Sequence, residues 1–179
     1  YSFPDDIRVR QLEGLAFYQL EDWQQAIFSF SQSRLINPDD FYSNLYLGKS
    51  LLQFGEYKDA NYTFKIALMN KPNNKDANFN LGLSSLYLGE NNKAIDELKN
   101  TLLLDSQNRD IYYYLGKAYK NNNQHKHSLE SFKKCIYLDE DHILAHYELG
   151  QIYELIFEHN QAIEQYEIAK QLMDNNNIY

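Results

Sequence analysis

The side chains with the most chemistry in this chain are five histidines and one cysteine. His142 and His146 are four residues apart, so one helix would turn both imidazoles to the same side, with Asp139, Glu140 and Asp141 just upstream. Such a cluster has the ligand types of a zinc-like site. Four residues is also the ordinary distance between helical neighbours, and the sequence fixes no further ligand, so the reading is no metal and no cofactor. His125 and His159 share a repeat position but lack a cysteine or reliable carboxylate partner, and His127 has no constellation. Cys135 falls where a small residue would pack, with no base signalled beside it, which predicts a structural thiol. Asn61-Tyr62-Thr63 spells a glycosylation acceptor but lies inside a helical run instead of a surface loop. With no glycine-rich phosphate loop, nucleotide fingerprint or metalloprotease helix, the chain reads as non-enzymatic.

The elements that carry these residues repeat. Gly14, Gly48, Gly82, Gly116 and Gly150 stand 34 residues apart; Gly55 and Gly89 form a second ladder and Pro4, Pro38 and Pro72 a third. These are all seven glycines and all three prolines. Because both residue types constrain the backbone path, the path itself repeats, which predicts a helical solenoid. The units are 7–40, 41–74, 75–108, 109–142 and 143–176, each with two helical runs that cannot hide their apolar faces alone.

In four of the five units the ladder glycine is preceded by a large apolar residue, in Leu47-Gly48, Leu81-Gly82, Leu115-Gly116 and Leu149-Gly150. The second half carries Ala26, Phe30 and Ser33; Ala60, Phe64 and Ala67; Ala94, Leu98 and Thr101; Ser128, Phe132 and Cys135; and Ala162, Tyr166 and Ala169. On these residues the chain resembles the tetratricopeptide repeat family over almost its whole length. The resemblance implies an all-α, right-handed α-solenoid of stacked antiparallel helix pairs. The residues point the same way: the glycine opens space for a neighbouring helix, the small residue allows close approach, and the large one fills the gap. Ser128 brings a hydroxyl able to bond back to a helix carbonyl.

Gly55 and Gly89 mark left-handed turns between paired helices, and Asn123 suits the same place. Glu21 and Phe157 depart from that chemistry, which predicts different turns in the first and last units. Pro38 and Pro72 mark the turns between units. Trp23 and Tyr57, just before the second helices, read as aromatic wedges between units. Residues 1–6 align with the tail of a unit and 177–179 with the start of one, so the chain reads as a window on a longer array with a single repeat domain at 7–176.

The resemblance also implies where a partner lies, along the first helix of each unit. The positions carried over as partner-binding are Tyr42, Tyr46, Lys49, Asp76, Asn80, Asp110, Tyr113, Tyr114, Lys117 and Glu148, with Arg8, Gln11, Leu12, Leu15, Leu45, Phe79, Leu83, Leu144, Tyr147 and Gln151 on related faces. Tyrosine offers rigid contact area with a polar tip, and the two charge signs would set the register of a bound segment. Core packing is the competing role for several of these aromatic residues. The family's clamp for a free C-terminal carboxylate needs lysine, asparagine and arginine spacings that no unit here keeps.

A formal charge of -8 argues against a broad nucleic-acid surface, and no apolar stretch is long enough to cross a membrane. The acidic turns Asp5-Asp6, Asp39-Asp40 and Asp139-Glu140-Asp141 read chiefly as helix caps. The expected partner is a protein or extended peptide, with self-association through uncapped ends as a further outcome and the cytoplasm as the favoured compartment. The function read from this is a protein-interaction scaffold. The alternative is a regulatory or substrate-docking segment of an enzyme whose catalytic domain lies outside the chain.

Overall fold

A computed structural model describes residues 6–176. Among them the structure is all-α, with α1 Ile7–Gln19, α2 Trp23–Ile36, α3 Phe41–Phe54, α4 Tyr57–Asn70, α5 Lys75–Tyr87, α6 Asn91–Leu104, α7 Arg109–Asn121, α8 His125–Leu138, α9 Ile143–Leu155 and α10 His159–Asn176. These are the two runs expected in each 34-residue unit. The helices fall into two compact units, residues 1–90 with α1 to α5 and residues 91–179 with α6 to α10.

In the first unit α1 pairs with α2 and α3 with α4; α3 packs on α2, α5 on α4, and α1, α3 and α5 lie in series. In the second, α7 pairs with α8 and α9 with α10, while α6 packs on α7, α8 on α9 and α7 on α9. The ladder glycines set the closeness of the pairs. A Cβ built on Gly14 would stand 2.8 Å from the Phe30 ring, on Gly48 2.7 Å from Phe64, on Gly116 2.6 Å from Phe132 and on Gly150 2.5 Å from Tyr166. Each ring belongs to the residue sixteen positions on, so one glycine and one ring lock each pair. The Ser128 hydroxyl does bond a helix carbonyl, but across the pair: it donates to Gly116 O at 2.8 Å.

The turns inside the pairs correct one expectation. Glu21 (φ 57°) and Phe157 (φ 64°) take the same left-handed conformation as Gly55 (96°), Gly89 (76°) and Asn123 (56°). All five turns share one hydrogen-bond pattern: the Phe157 N–H donates to Glu154 O and the Glu158 N–H to Tyr153 O, as Gly55 and Glu56 do to Leu52 and Leu51. The helix pair dictates the turn, and glutamate and phenylalanine accept the strain. Phe157→Gly, at a side chain 82% exposed, relieves a left-handed penalty of roughly 1–2 kcal/mol against a partly offsetting gain in unfolded-chain entropy. We expect a net stabilisation of about 0.5–1 kcal/mol, read as a melting temperature about 1–4 °C higher by circular dichroism; an unchanged or lower value would mean the ring holds the turn.

The connections between units are also periodic. The first helices are capped by Asp6, Asp40, Asn74, Asn108 and His142, whose side chains accept backbone N–H groups of Arg8, Ser43, Ala77, Asp110 and Ala145. Four residues into α3 and α5, Asn44 and Asn78 donate to the carbonyls of Pro38 and Pro72, both at 2.8 Å. Tyr112 and His146, at the same place in α7 and α9, reach Ser106 O at 3.2 Å and Glu140 O at 2.9 Å. Tyr57 stacks on Tyr87 of α5 at 5.0 Å, a wedge between repeats, whereas Trp23 packs edge-on against Tyr18 of its own pair at 5.3 Å. The Pro4 rung and residues 177–179 lie outside the described residues.

Candidate partner-binding faces

In the first unit α1, α3 and α5, which lie in series, carry the candidate face. Tyr46 stacks on Phe30 at 5.6 Å and meets the Tyr18 ring edge-on at 5.6 Å. Lys49, one turn along α3, holds its Nζ 5.3 Å from the Tyr46 ring and pairs with the Asp76 carboxylate of α5. Asn80 braces that carboxylate, donating to Asp76 Oδ1 at 2.8 Å and to its backbone carbonyl at 2.7 Å. Burial pushes the Tyr18 phenol above its ordinary pKa; the Lys49 cation opposes this, while Asp76 and Tyr46 add to it. Four of the expected residues, Tyr46, Lys49, Asp76 and Asn80, therefore form one cluster, with Asp76 exposed and Asn80 only 9% exposed.

Tyr42 lies elsewhere, at the turn edge, where Lys71 places its Nζ 4.6 Å from the Tyr42 ring and 4.3 Å from Phe41. Gln11 is engaged across helices with Asp40 Oδ2 at 2.8 Å and Ser43 Oγ at 3.0 Å. Leu12 stands open on α1, while Leu45 and Leu83 are buried. Arg8 pairs locally with Asp6 at 3.1 Å.

In the second unit α7 and α9 carry the face. Lys117 sits 5.6 and 5.9 Å from the Tyr113 and Tyr114 rings. Tyr113 itself is in the core, packed with Phe132, Leu149 and Ile152 and stacked on His142 at 5.0 Å. Its backbone position suits a groove, but its ring turns between the helices and fills space there. Tyr114 is half-buried. Glu148 pairs with Lys120 at 2.7 Å, and Lys120 also reaches Gln151. Asp110 is exposed near the cap, 3.7 Å from Arg109.

Sequence reasoning missed Tyr18 and Lys120, which share one repeat position three residues beyond Leu15 and Lys117. The i, i+3 relation was the available signal. All but one of the seventeen lysines and arginines lie inside helices, Lys71 being the exception. The chain's negative charge therefore resides in its turns and does not describe its helix faces.

His142, His146, Cys135 and Asn61 are committed to the scaffold. His142 Nδ1 accepts the Ala145 N–H at 3.1 Å as a helix cap. His146 is buried, its Nε2 donating to Glu140 O and its Nδ1 2.8 Å from Gln165 Oε1. Burial, with Asp139 and Asp110 adding to it, pushes the Cys135 thiol up to about 12, so it stays protonated and weakly nucleophilic. The Asn61 amide donates at 2.9 Å to both Ser84 and Ser85 hydroxyls in the interior, leaving no accessible nitrogen to carry a glycan. No group of three metal-ligating side chains gathers among the described residues.

Tetratricopeptide repeat family models match residues 12–77 and 110–142. No curated protein sequence matches significantly. A crystal structure of the protein MamA is 24% identical, with a TM-score of 0.85 over 93% of this chain and 97% of that one. MamA from residue 41 onward of Desulfovibrio magneticus RS-1 is 21% identical, with a TM-score of 0.89 over 97% and 98%. At such identities the likeness is one of fold.

Proposed function

We propose that this chain, which belongs to the tetratricopeptide repeat family and is in general terms a protein-interaction scaffold, binds an extended partner segment along its first helices without catalysing a reaction. In the same reading residues 7–176 are one five-repeat domain. The observation that carries the proposal is the cluster in which Lys49 lies over Tyr46 and pairs with Asp76, itself braced by Asn80. An ion pair of this kind gives little stability at a surface, but it presents a cation and an anion at fixed positions beside an aromatic ring. A peptide with an acidic side chain for Lys49 and an apolar one for Tyr46 and Leu12 fits that face. In the second unit Tyr114 and Lys117 repeat the aromatic and cationic pair, and Lys120 with Glu148 supplies the mixed charge that would fix register.

The test is photocrosslinking in the intact protein, with a benzophenone amino acid at Leu12 or Tyr42 and the captured peptide identified by mass spectrometry. A synthetic copy of that peptide should bind about tenfold more weakly to Tyr46→Ala and to Tyr114→Ala, a loss of roughly 1.4 kcal/mol in each. Undiminished binding by variants with full helical content would refute the assignment.

A further inference from the structure

The outer helices of the first unit expose apolar side chains in a regular pattern. Phe28 is 57% and Leu35 76% exposed on α2; Tyr62 is 61% and Met69 82% exposed on α4. Each pair is seven residues apart, which puts its members on one helix face two turns from each other, and the two pairs are related by 34 residues. The C-terminal end of α4 adjoins the turn that follows α2, because Asn70 Nδ2 donates to Asp39 O at 2.6 Å. Leu35 also walls an open cavity of about 360 Å³ that reaches Leu47 of α3. The second unit keeps apolar residues at the later position, Leu103 and Tyr137, but has Asp96 and Glu130 at the earlier one. An apolar quartet thus belongs to α2 and α4.

Charge narrows the occupant. Within α2 and α4 the cations are Arg34, Lys58 and Lys65 and the one acid is Asp59. The N-terminal end of the face is acidic, with Asp22 and Glu56, and the C-terminal end is mixed, with Asp39 and Asp40 beyond α2 and Lys71 beyond α4. A flat anionic membrane would meet the carboxylates of Asp22, Glu56, Asp39 and Asp40. A single helix, about 10–12 Å across, fits between them on helices roughly 21 Å long.

We propose that Phe28, Leu35, Tyr62 and Met69, with Lys58 and Lys65, form a second docking surface for a partner's amphipathic helix whose apolar stripe is flanked by acidic residues. The apolar residues supply contact area at helical spacing and the lysines select the acidic flank. This surface is separate from the first-helix faces, so one scaffold holds two partners or two parts of one.

The test uses fluorescence anisotropy with two 18-residue synthetic helices, both with leucines at i, i+3, i+4 and i+7, one flanked by glutamates and the other by lysines. The full chain should bind the glutamate peptide at least about tenfold more tightly. Leu35→Ser with Met69→Ser should abolish most of that binding, and Lys58→Glu with Lys65→Glu should reverse the preference. All four sites are exposed, and circular dichroism checks that the variants fold. Tyr46→Ala should change nothing, which separates failure here from failure of the first-helix assignment. Equal binding of both peptides, sensitivity to Tyr46→Ala alone, or binding only to phosphatidylserine vesicles would each overturn the proposal.

Discussion

Phe64→Ala should cost about 3–5 kcal/mol and lower the melting temperature by roughly 10 °C. Phe64 is fully buried, and its ring occupies the space a side chain at Gly48 would need, with a built Cβ only 2.7 Å away. The reverse change, Gly48→Leu, forces the ring or α4 to move. Overpacking costs about 1–3 kcal/mol, while replacing a helical glycine returns about 0.8–1.0 kcal/mol, so we expect a net loss of about 1–2 kcal/mol. The double variant should lose less than the sum by about 1–3 kcal/mol, since leucine then enters the volume the ring has vacated. Urea denaturation measures all three. In a repeat protein the damage is local first, so amide exchange should quicken in α3 and α4 before other helices respond. Strict additivity of the two changes would mean that glycine and ring do not share that space.

The same pair explains why the fold was legible in the sequence. A glycine and an aromatic or large aliphatic residue sixteen positions on recur in register, and no other residues substitute easily for a missing Cβ and the ring it admits. The five left-handed turns were less legible. Glycine and asparagine announce that conformation, whereas Glu21 and Phe157 do not, because there the packed helix pair overrides local preference. The binding faces were legible only as positions. The resemblance carried over both Tyr113 and Tyr114 as groove positions, yet as consecutive helical residues they point apart, one ring turned into the core and the other half-buried. Side-chain direction depends on the neighbouring helix as well as on the residue's own place. Exposure of Leu35 and Met69 depends on neighbours in the same way, because an apolar residue's own place on a helix does not show whether another helix covers it.

The histidines show how a repeat converts apparent chemistry into scaffolding. His142 stands on the cap ladder where other units have aspartate or asparagine, and His146 stands where Asn44 and Asn78 bind the turn carbonyl. The two imidazoles stand four apart because two neighbouring ladders both carry histidine in this unit. Each ring keeps a hydrogen-bonding function that an amide or carboxylate serves elsewhere.

His146→Leu should therefore destabilise by about 1–2 kcal/mol, because it leaves Glu140 O and the Gln165 amide without their partner in a part-buried setting. His146→Asn should cost less than about 1 kcal/mol, since the shorter amide makes the same turn bond at two other positions. His142→Asn should be neutral or slightly stabilising, asparagine being among the best residues for a cap. Thermal denaturation with and without added zinc separates these roles from metal binding. If the histidines are scaffold, zinc leaves the melting temperature of the unmodified chain where it is and the order of the variants holds. A zinc-dependent rise that disappears in His142→Asn would reinstate a metal site, because the cap survives that change and an imidazole ligand does not.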